Sequence, residues 1–381
     1  MKIALISPAH PLRGGIAASS ERLAIALQEA GHIVTIYSFK LQYPAFLFPG
    51  KTQYSEDAAP LRLHIVPLLH SLNPLNWFIS GRVIAKSRPD RVIVRFWLPF
   101  MGPCLGTVLR IVRRKSAPGL RITALTDNII PHEKRPGDLL LSRYFAHSCD
   151  DFVVMSRSVA HEIEYVLGAP TLVRLTKQSA IAPIRYAPHP VYDNYGSAME
   201  KTAARTALGI TAKAPLVLFF GLIRAYKGLD LLLEALQYTP HIHALIAGEC
   251  YDDWAAYQKI IEQHHLSERL HLHLHFIPTE QVKLYFSAAD LVVQPYKNAT
   301  QSGISQIAYH FGVPMVVTKV GGLPEIVAHG ASGYVVAPEP AAIADAMQDY
   351  FTHHRSEWMR EQVRAARGRF SWENLVKTLL K

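Results

Sequence analysis

The chain has 381 residues, more than one ordinary hydrophobic core accommodates, so two domains are expected. Apolar residues make up 49% and charged residues 18%, which excludes a disordered or fibrous chain. The net charge of +10 sits in the first half, where residues 1–190 hold 23 Lys/Arg against 12 Asp/Glu, while residues 191–381 hold 17 against 18.

Residues 2–7 read as a first buried strand, followed by the loop PAHPLRGG with Gly14 and Gly15 at its end. A helix is expected from about 16 to 30, with Leu23, Ala26 and Leu27 on one face and Gly31 as its stop. Residues 32–38 (HIVTIYS) form the next β-branched strand, completing a βαβ unit and implying a parallel sheet. No G-x-G-x-x-G fingerprint is present, which removes support for a nicotinamide dehydrogenase. Residues 40–62 have no clean period and read as a long surface loop. Strands follow at 63–66, 90–96 and 121–125. The last leads into TDNIIPHEKR, a polar run at a strand's carboxyl end, where open α/β sheets bind ligands. Asp127, Asn128, His132, Glu133 and Arg135 are the candidates there. A helix at 139–147, a strand at 151–156 and a helix from 158 lead to 183–195, PIRYAPHPVYDNY, which has no period and marks the domain boundary.

The second half repeats the alternation, with strands at 216–220, 243–247, 270–276, 291–294 and 315–318 and helices at 252–264 and 280–288. The fold class is therefore α/β: two doubly wound Rossmann-like domains with a cleft expected between their strand ends. The most informative stretch is LVLFFGLIRAYKGLDLLLEAL, residues 216–236: a buried strand, Gly221, the cations Arg224 and Lys227, then a helix with Leu229, Leu232, Leu233 and Leu236 on one side. Bare backbone, unpaired N–H groups at a helix start and two positive charges suit a diphosphate. A solvated turn with ordinary surface cations is the alternative. His271, His273 and His275 alternate along one strand and are read as an exposed face rather than a metal site.

Three widely spaced cysteines, Cys104, Cys149 and Cys250, argue against a disulfide framework or zinc site and fit a reducing cytoplasm. Residues 1–8 are too short an apolar run for a secretory signal. The apolar stretch 96–109 is shorter than the ~20 residues a spanning helix needs and carries Pro99 and Pro103. The basic first half calls for an anionic partner; without a nucleic-acid module, an anionic membrane face is preferred. Trp77, Phe78, Phe96 and Trp97, near Arg82, Lys86, Arg110, Arg113, Arg114 and Lys115, are the expected contacts, with core burial of these aromatics as the alternative.

Five segments in order resemble the bacterial group 1 family of retaining, GT-B-fold nucleotide-sugar glycosyltransferases. They are the Gly14-Gly15 loop leading to GHIVTIYS, FFGLIRAYKGLDLLLEAL, LIAGE, FIPTEQVKLYFSAADLVVQPY and GVPMVVTKVGGLPEIVAHGASGYVV. The resemblance implies that Gly221, Arg224 and Lys227 hold the donor diphosphate. Gly248 and Glu249 would end a strand near the donor, Phe276, Ile277 and Pro278 would recognise the base through backbone, and Gly14 and Gly15 would face the sugar-phosphate. It also implies domains at 1–188 (acceptor) and 189–355 (donor), with 356–381 crossing back to the first. Three departures stand out: Leu222 occupies the usual arginine place, Ala299 and Ile307 occupy the places of a glutamate pair, and Thr126-Asp127 replaces a His-Asp pair. Gln301, Ser302 and Gly303 open a helix in place of the glutamates, suited to a phosphate. Asp127 and His132 are the expected positioning residues for sugar or acceptor. The implied activity is sugar transfer to a saccharide or lipid-linked acceptor in cell-surface glycoconjugate synthesis, in the cytoplasm or at the inner membrane face. The nucleotide-sugar is a co-substrate, and no metal or other cofactor is expected because no D-x-D pair is present. A nucleotide-sugar epimerase and a non-catalytic scaffold binding glycan or membrane are the rival readings.

Overall fold

The computed structural model describes residues 1–44, 52–55, 60–131, 135–168, 182–210, 213–299 and 302–381. By internal packing the chain divides into two units, Met1–Pro188 with Trp372–Lys381, and His189–Ser371.

The first unit runs β1 (Lys2–Ile6), α1 (Gly15–Glu29), β2 (Ile33–Leu41), β3 (His64–His70), α2 (Pro74–Lys86), β4 (Arg91–Phe96), α3 (Gly102–Lys115), β5 (Arg121–Thr126), α4 (Asp138–Ala146), β6 (Asp151–Val154), α5 (Arg157–Val166) and β7 (Ile184–Tyr186). Among the described residues its sheet has seven strands in the order β3-β2-β1-β4-β5-β6-β7, and each neighbouring pair is parallel. Strand order reverses direction between β1 and β4. Every residue of β4 is buried, as expected of a parallel strand covered on both faces. Helix α2 starts cleanly because Pro74 sits in its first turn and the Asn73 side chain accepts from the Asn76 N–H. Stretch 96–109, read as one apolar run, is the end of β4, a tight turn and the start of α3, whose Cys104, Leu105, Val108, Leu109 and Val112 recur at helical spacing and join the core.

The second unit runs α6 (Lys201–Ala207), β8 (Leu216–Phe220), α7 (Leu229–Leu236), β9 (His243–Ala247), α8 (Trp254–Gln263), β10 (Leu270–His273), α9 (Val282–Ala288), β11 (Leu291–Gln294), α10 (Gly303–Phe311), β12 (Met315–Thr318), α11 (Leu323–Ile326), β13 (Gly333–Val336), α12 (Pro340–Thr352) and α13 (Ser356–Ala366). The strand order is β10-β9-β8-β11-β12-β13, again parallel, with the reversal between β8 and β11. The α7 leucines, Phe219 of β8, Val293 of β11 and Met347 of α12 share one core cluster. Each fully buried side chain of this kind is worth about 1.5–3 kcal/mol against exposure.

Several expectations change in detail. The boundary segment 183–195 contributes a seventh strand, β7, to the first sheet. The strand at 270–276 stops at His273. Its histidines are not a uniformly exposed face: His271 and His273 are half-buried. The ring nitrogens of His243 and His271 lie 3.4 Å apart, and His273 Nδ1 is 3.0 Å from the Tyr285 hydroxyl. The segment expected to return as one piece, 356–381, divides. Met359, Val363 and Phe370 are buried, and they lie within the second unit, whereas only Trp372–Lys381 belongs to the first. There α14 (Trp372–Leu380) meets α1, with the Arg22 guanidinium 5.4 Å from the Trp372 ring centre. Phe96 and Trp97, expected at an interface, are core residues. Trp77 is half-buried and donates from Nε1 to the His70 carbonyl at 2.8 Å; Phe78 alone of the four is exposed. Among the described residues no helix is long and apolar enough to cross a membrane.

Candidate functional site

In a doubly wound sheet the loops on either side of the strand-order reversal diverge and leave a crevice at the strands' carboxyl ends. In the second unit that crevice lies between the ends of β8 and β11, and most of the predicted donor residues gather around it. After β8 the chain turns at Gly221, whose N–H donates to the Ala247 carbonyl at 2.9 Å. A tight turn over Ala225–Lys227 follows, then Gly228 in the left-handed region at φ 68°. A Cβ on Gly228 would meet the Pro295 carbonyl oxygen at 2.0 Å, so glycine there lets the β8 loop close onto the residue after β11. Gly248 is equally constrained: at φ 144° its Cβ would fall 2.1 Å from the Gly221 carbonyl oxygen.

Lys227 folds back over the glycine turn. A side chain on Gly221 would bring its Cβ to 3.2 Å from Lys227 Nζ. The ammonium lies 5.7 Å from the Tyr296 ring centre, within cation–π reach. Burial and the neighbouring Arg224 charge push the Lys227 pKa down to about 8. Arg224 packs over Tyr251, guanidinium carbon to ring centre 5.3 Å. Its Nε is buried without a hydrogen-bond partner among the described residues. Neither cation has an ion pair with a described carboxylate. Two positive groups therefore stand at the crevice without counter-charge, a state that an anion would relieve.

The far wall is positioned by buried polar contacts. Gln294 at the end of β11 donates to Ser305 Oγ at 3.0 Å, tying α10 to the strand. Thr318 donates to the Tyr296 carbonyl at 2.5 Å. Ser302, the residue before α10, is buried, with its Oγ 3.4 Å from the Tyr296 hydroxyl. Burial pushes the Tyr226 and Tyr296 phenols upward, so both stay neutral. Gly303 is packed against Tyr192: an added Cβ would fall 3.0 Å from the Tyr192 ring. Glu249 accepts from the Tyr251 hydroxyl at 2.9 Å, and Gly248 donates to the His273 carbonyl at 3.0 Å. In the turn after β10, Phe276 is exposed, Ile277 is buried and the Pro278 carbonyl accepts from the Gln281 N–H at 2.9 Å. Tyr226, Tyr251 and Tyr296 also line the candidate site and were not singled out from the sequence; the signal for Tyr296 was its position two residues beyond a buried strand end.

In the first unit the corresponding reversal lies between β1 and β4. Gly14 precedes α1 at φ 115°, and neither Gly14 nor Gly15 has anything within 4 Å of an added Cβ, so this loop is open. Asp127 is buried and receives a two-pronged ion pair from Arg95, Nε to Oδ2 2.6 Å and Nη2 to Oδ1 2.8 Å. The remaining Arg95 nitrogen reaches the first turns of α1, bonding Ser19 Oγ, Ser20 Oγ at 3.1 Å and the Ile16 carbonyl at 3.4 Å. Asp127 thus supports the glycine loop through Arg95. His132, Glu133 and Gln301 lie outside the described residues.

Residues 200–367 match the family model described as Glycosyl transferases group 1, so the resemblance read from the motifs holds over the second unit. The D-inositol 3-phosphate glycosyltransferase of Mycolicibacterium gilvum is 34% identical over 188 residues, 48% of this chain and 42% of that protein. The match thus spans less than half the length of this curated relative. Sucrose-phosphate synthase from Thermosynechococcus elongatus shares the fold with a TM-score of 0.74 at 19% identity, over 99% of this chain and 96% of that one. HepE of Anabaena in complex with UDP superposes with a TM-score of 0.74 at 16% identity, over 100% and 98% of the two chains. The same protein in complex with UDP-glucose gives 0.73 at 16% identity, over 100% and 99%. At these identities the likeness is one of fold: two Rossmann-like parallel-sheet units of the GT-B type.

Proposed function

We propose, from the group 1 match and the uncompensated cations at the β8/β11 crevice, that the protein is a glycosyltransferase moving a sugar from a nucleotide-sugar to a saccharide or lipid-linked acceptor. The observation that carries this is the pairing of Lys227, folded over Gly221, with Arg224, whose Nε is buried and has no hydrogen-bond partner among the described residues. As the bond from the sugar's anomeric carbon to the diphosphate oxygen breaks, negative charge grows on the leaving phosphate. Groups already aimed at that charge stabilise the transition state by about 3–4 kcal/mol each. Ser302 and the N–H groups opening α10 add donors on the other wall, and the Phe276–Pro278 turn offers backbone to the base. On the retaining course implied by the family, the departing phosphate takes the proton of the acceptor hydroxyl on the same face of the sugar. Asp127 acts as a positioning residue through Arg95 and α1, and His132 contacts sugar or acceptor. Side-chain cations supply the charge that a metal provides in other transferases; full activity in excess EDTA is the expected result, and loss restored by magnesium would overturn this part.

We place the acceptor at a cytoplasmic, anionic membrane face used in cell-surface glycoconjugate synthesis. Support comes from α2, whose exposed stripe Leu75, Phe78, Ile79, Val83 carries Arg82 and Lys86 at its end and contains no acidic residue. This replaces the contact expected from Phe96 and Trp97. Flotation with anionic vesicles should weaken several-fold in Phe78→Ser/Ile79→Ser; unchanged flotation would remove the membrane role.

The main test incubates the protein with a panel of labelled nucleotide sugars and separates the products. Nucleotide diphosphate released together with a new glycoside, its anomeric configuration read by NMR, is the expected outcome. A converted sugar still bearing its nucleotide would favour an epimerase, and silence across the panel with no thermal shift would favour a scaffold.

A further inference from the structure

A second cationic site lies in the first unit, at the amino ends of its central strands and therefore on the opposite edge of the sheet from the β1/β4 crevice. Lys2 opens β1, Asp90 immediately precedes β4, and α2 and α3 both end here. Together they surround a cleft of about 920 Å³ lined by Lys2, Arg82, Lys86, Arg88 and Lys115, with Asp90 as the only carboxylate among its described lining residues. That carboxylate is already engaged, accepting the Lys2 backbone N–H at 2.6 Å.

Lysines at the ends of helices commonly do no more than offset the partial negative charge of the last carbonyls. Here magnitude decides against that as a full account. Each helix end carries roughly half an elementary charge, so α2 and α3 together offset about one of the five cations, and Asp90 offsets one more. About three positive charges remain, facing one cleft. The chain also accepts backbone strain to place one of them. Arg88 has φ 51°, the left-handed region where a helix exit ordinarily carries glycine. Strain at a charged residue inside a cationic cleft is what a binding function would retain.

We propose that this cleft is an anion site for a phosphoryl group, with Arg82, Arg88 and Lys115 as its principal contacts, separate from the diphosphate site of the second unit. The chemistry fits two sources: a soluble phosphomonoester, or the phosphodiester headgroup of an anionic lipid reached along the α2 stripe that ends at Arg82 and Lys86. The proposal does not depend on the transferase reading.

The test compares the full chain with Arg88→Gly/Lys115→Gln, a variant that removes two charges and relieves rather than adds strain at position 88. Circular dichroism and UDP affinity are measured in parallel, so that failure of this cleft and failure of the donor site are read independently. Calorimetric titration with inorganic phosphate and with glycerol 3-phosphate forms one arm; co-sedimentation with phosphatidylglycerol or phosphatidylcholine vesicles forms the other. Saturable binding of the soluble phosphates, weakened at least tenfold in the variant, assigns a free phosphoryl ligand. Binding confined to phosphatidylglycerol vesicles, weakened likewise and lost in high salt, assigns a lipid headgroup. Equal binding by both proteins in both arms, or none by the unaltered chain in either, overturns the proposal.

Discussion

Apart from the extra edge strand β7, the two sheets share a strand order, and each has its reversal point at the carboxyl ends of its strands, yet the two points are in opposite electrostatic states. At β1/β4 the cation is fully matched: Arg95 is 4% exposed, Asp127 is 7% exposed, and the guanidinium's remaining nitrogen is bonded to α1. At β8/β11 Lys227 and Arg224 are neighbours with no ion pair to a carboxylate among the described residues, and the lysine's pKa is displaced to about 8. A buried charge with its partner built in is costly to unpair, whereas one without a described partner gains most from an added counter-charge. The same topology thus holds a closed ion pair in one unit and, in the other, two neighbouring cations suited to the anion receptor proposed above.

The sharpest way to break this comparison is to unpair the first joint. Arg95→Met takes the two-pronged cationic partner away from the buried Asp127 and should cost about 3–5 kcal/mol, read as an earlier unfolding transition in urea. A cost below ~1 kcal/mol, the range of exposed pairs, would show that the joint is not a closed ion pair. The opposite pattern is expected at the second site. Lys227→Met removes a desolvated charge and should leave thermal stability unchanged or slightly raised, while turnover falls by about 10²–10³-fold. Arg224→Ala should lower turnover similarly; wild-type rates in both variants would remove the phosphate role.

A smaller effect tests the same asymmetry through pH. Since the folded-state pKa of Lys227 lies below its unfolded value, the free protein gives up this proton first, and its own stability should rise with pH between about 8 and 10.5. Diphosphate binding favours the charged form, so UDP affinity should be flat below pH 8 and fall by up to about tenfold per unit above it. In Lys227→Met that slope should vanish. A slope that survives the substitution would assign the titration to another group.

Much of this architecture was readable from periodicity. Continuous apolar runs such as 216–220 and alternation with helices implied parallel sheets, because only a strand covered on both faces can be apolar throughout. Phe96 and Trp97 misled because an aromatic beside a cation looks alike at a core edge and at a surface; β4 is covered on both faces, so Arg95 is buried against Asp127 on one side and Phe96 in the core on the other. Helix α2 carries apolar residues on both faces, so its pattern did not separate the buried Ile84 side from the exposed Phe78 side. Strand β7 is three residues long, too short to show a period among prolines. At the site, Gly221, Arg224 and Lys227 were legible because turn, charge and helix are local in the chain, whereas Tyr251 and Tyr296 arrive from the ends of other strands.

The amino-acid order by itself determined the alternation of strand and helix, the two-unit organisation and the cationic turn after 216–220, since each depends on neighbours within about twenty residues. Tertiary structure alone decided which cations are matched. Whether Arg95 or Lys227 meets a carboxylate depends on residues brought together across parallel strands, and Coulomb energy follows distance and burial in space rather than separation along the chain.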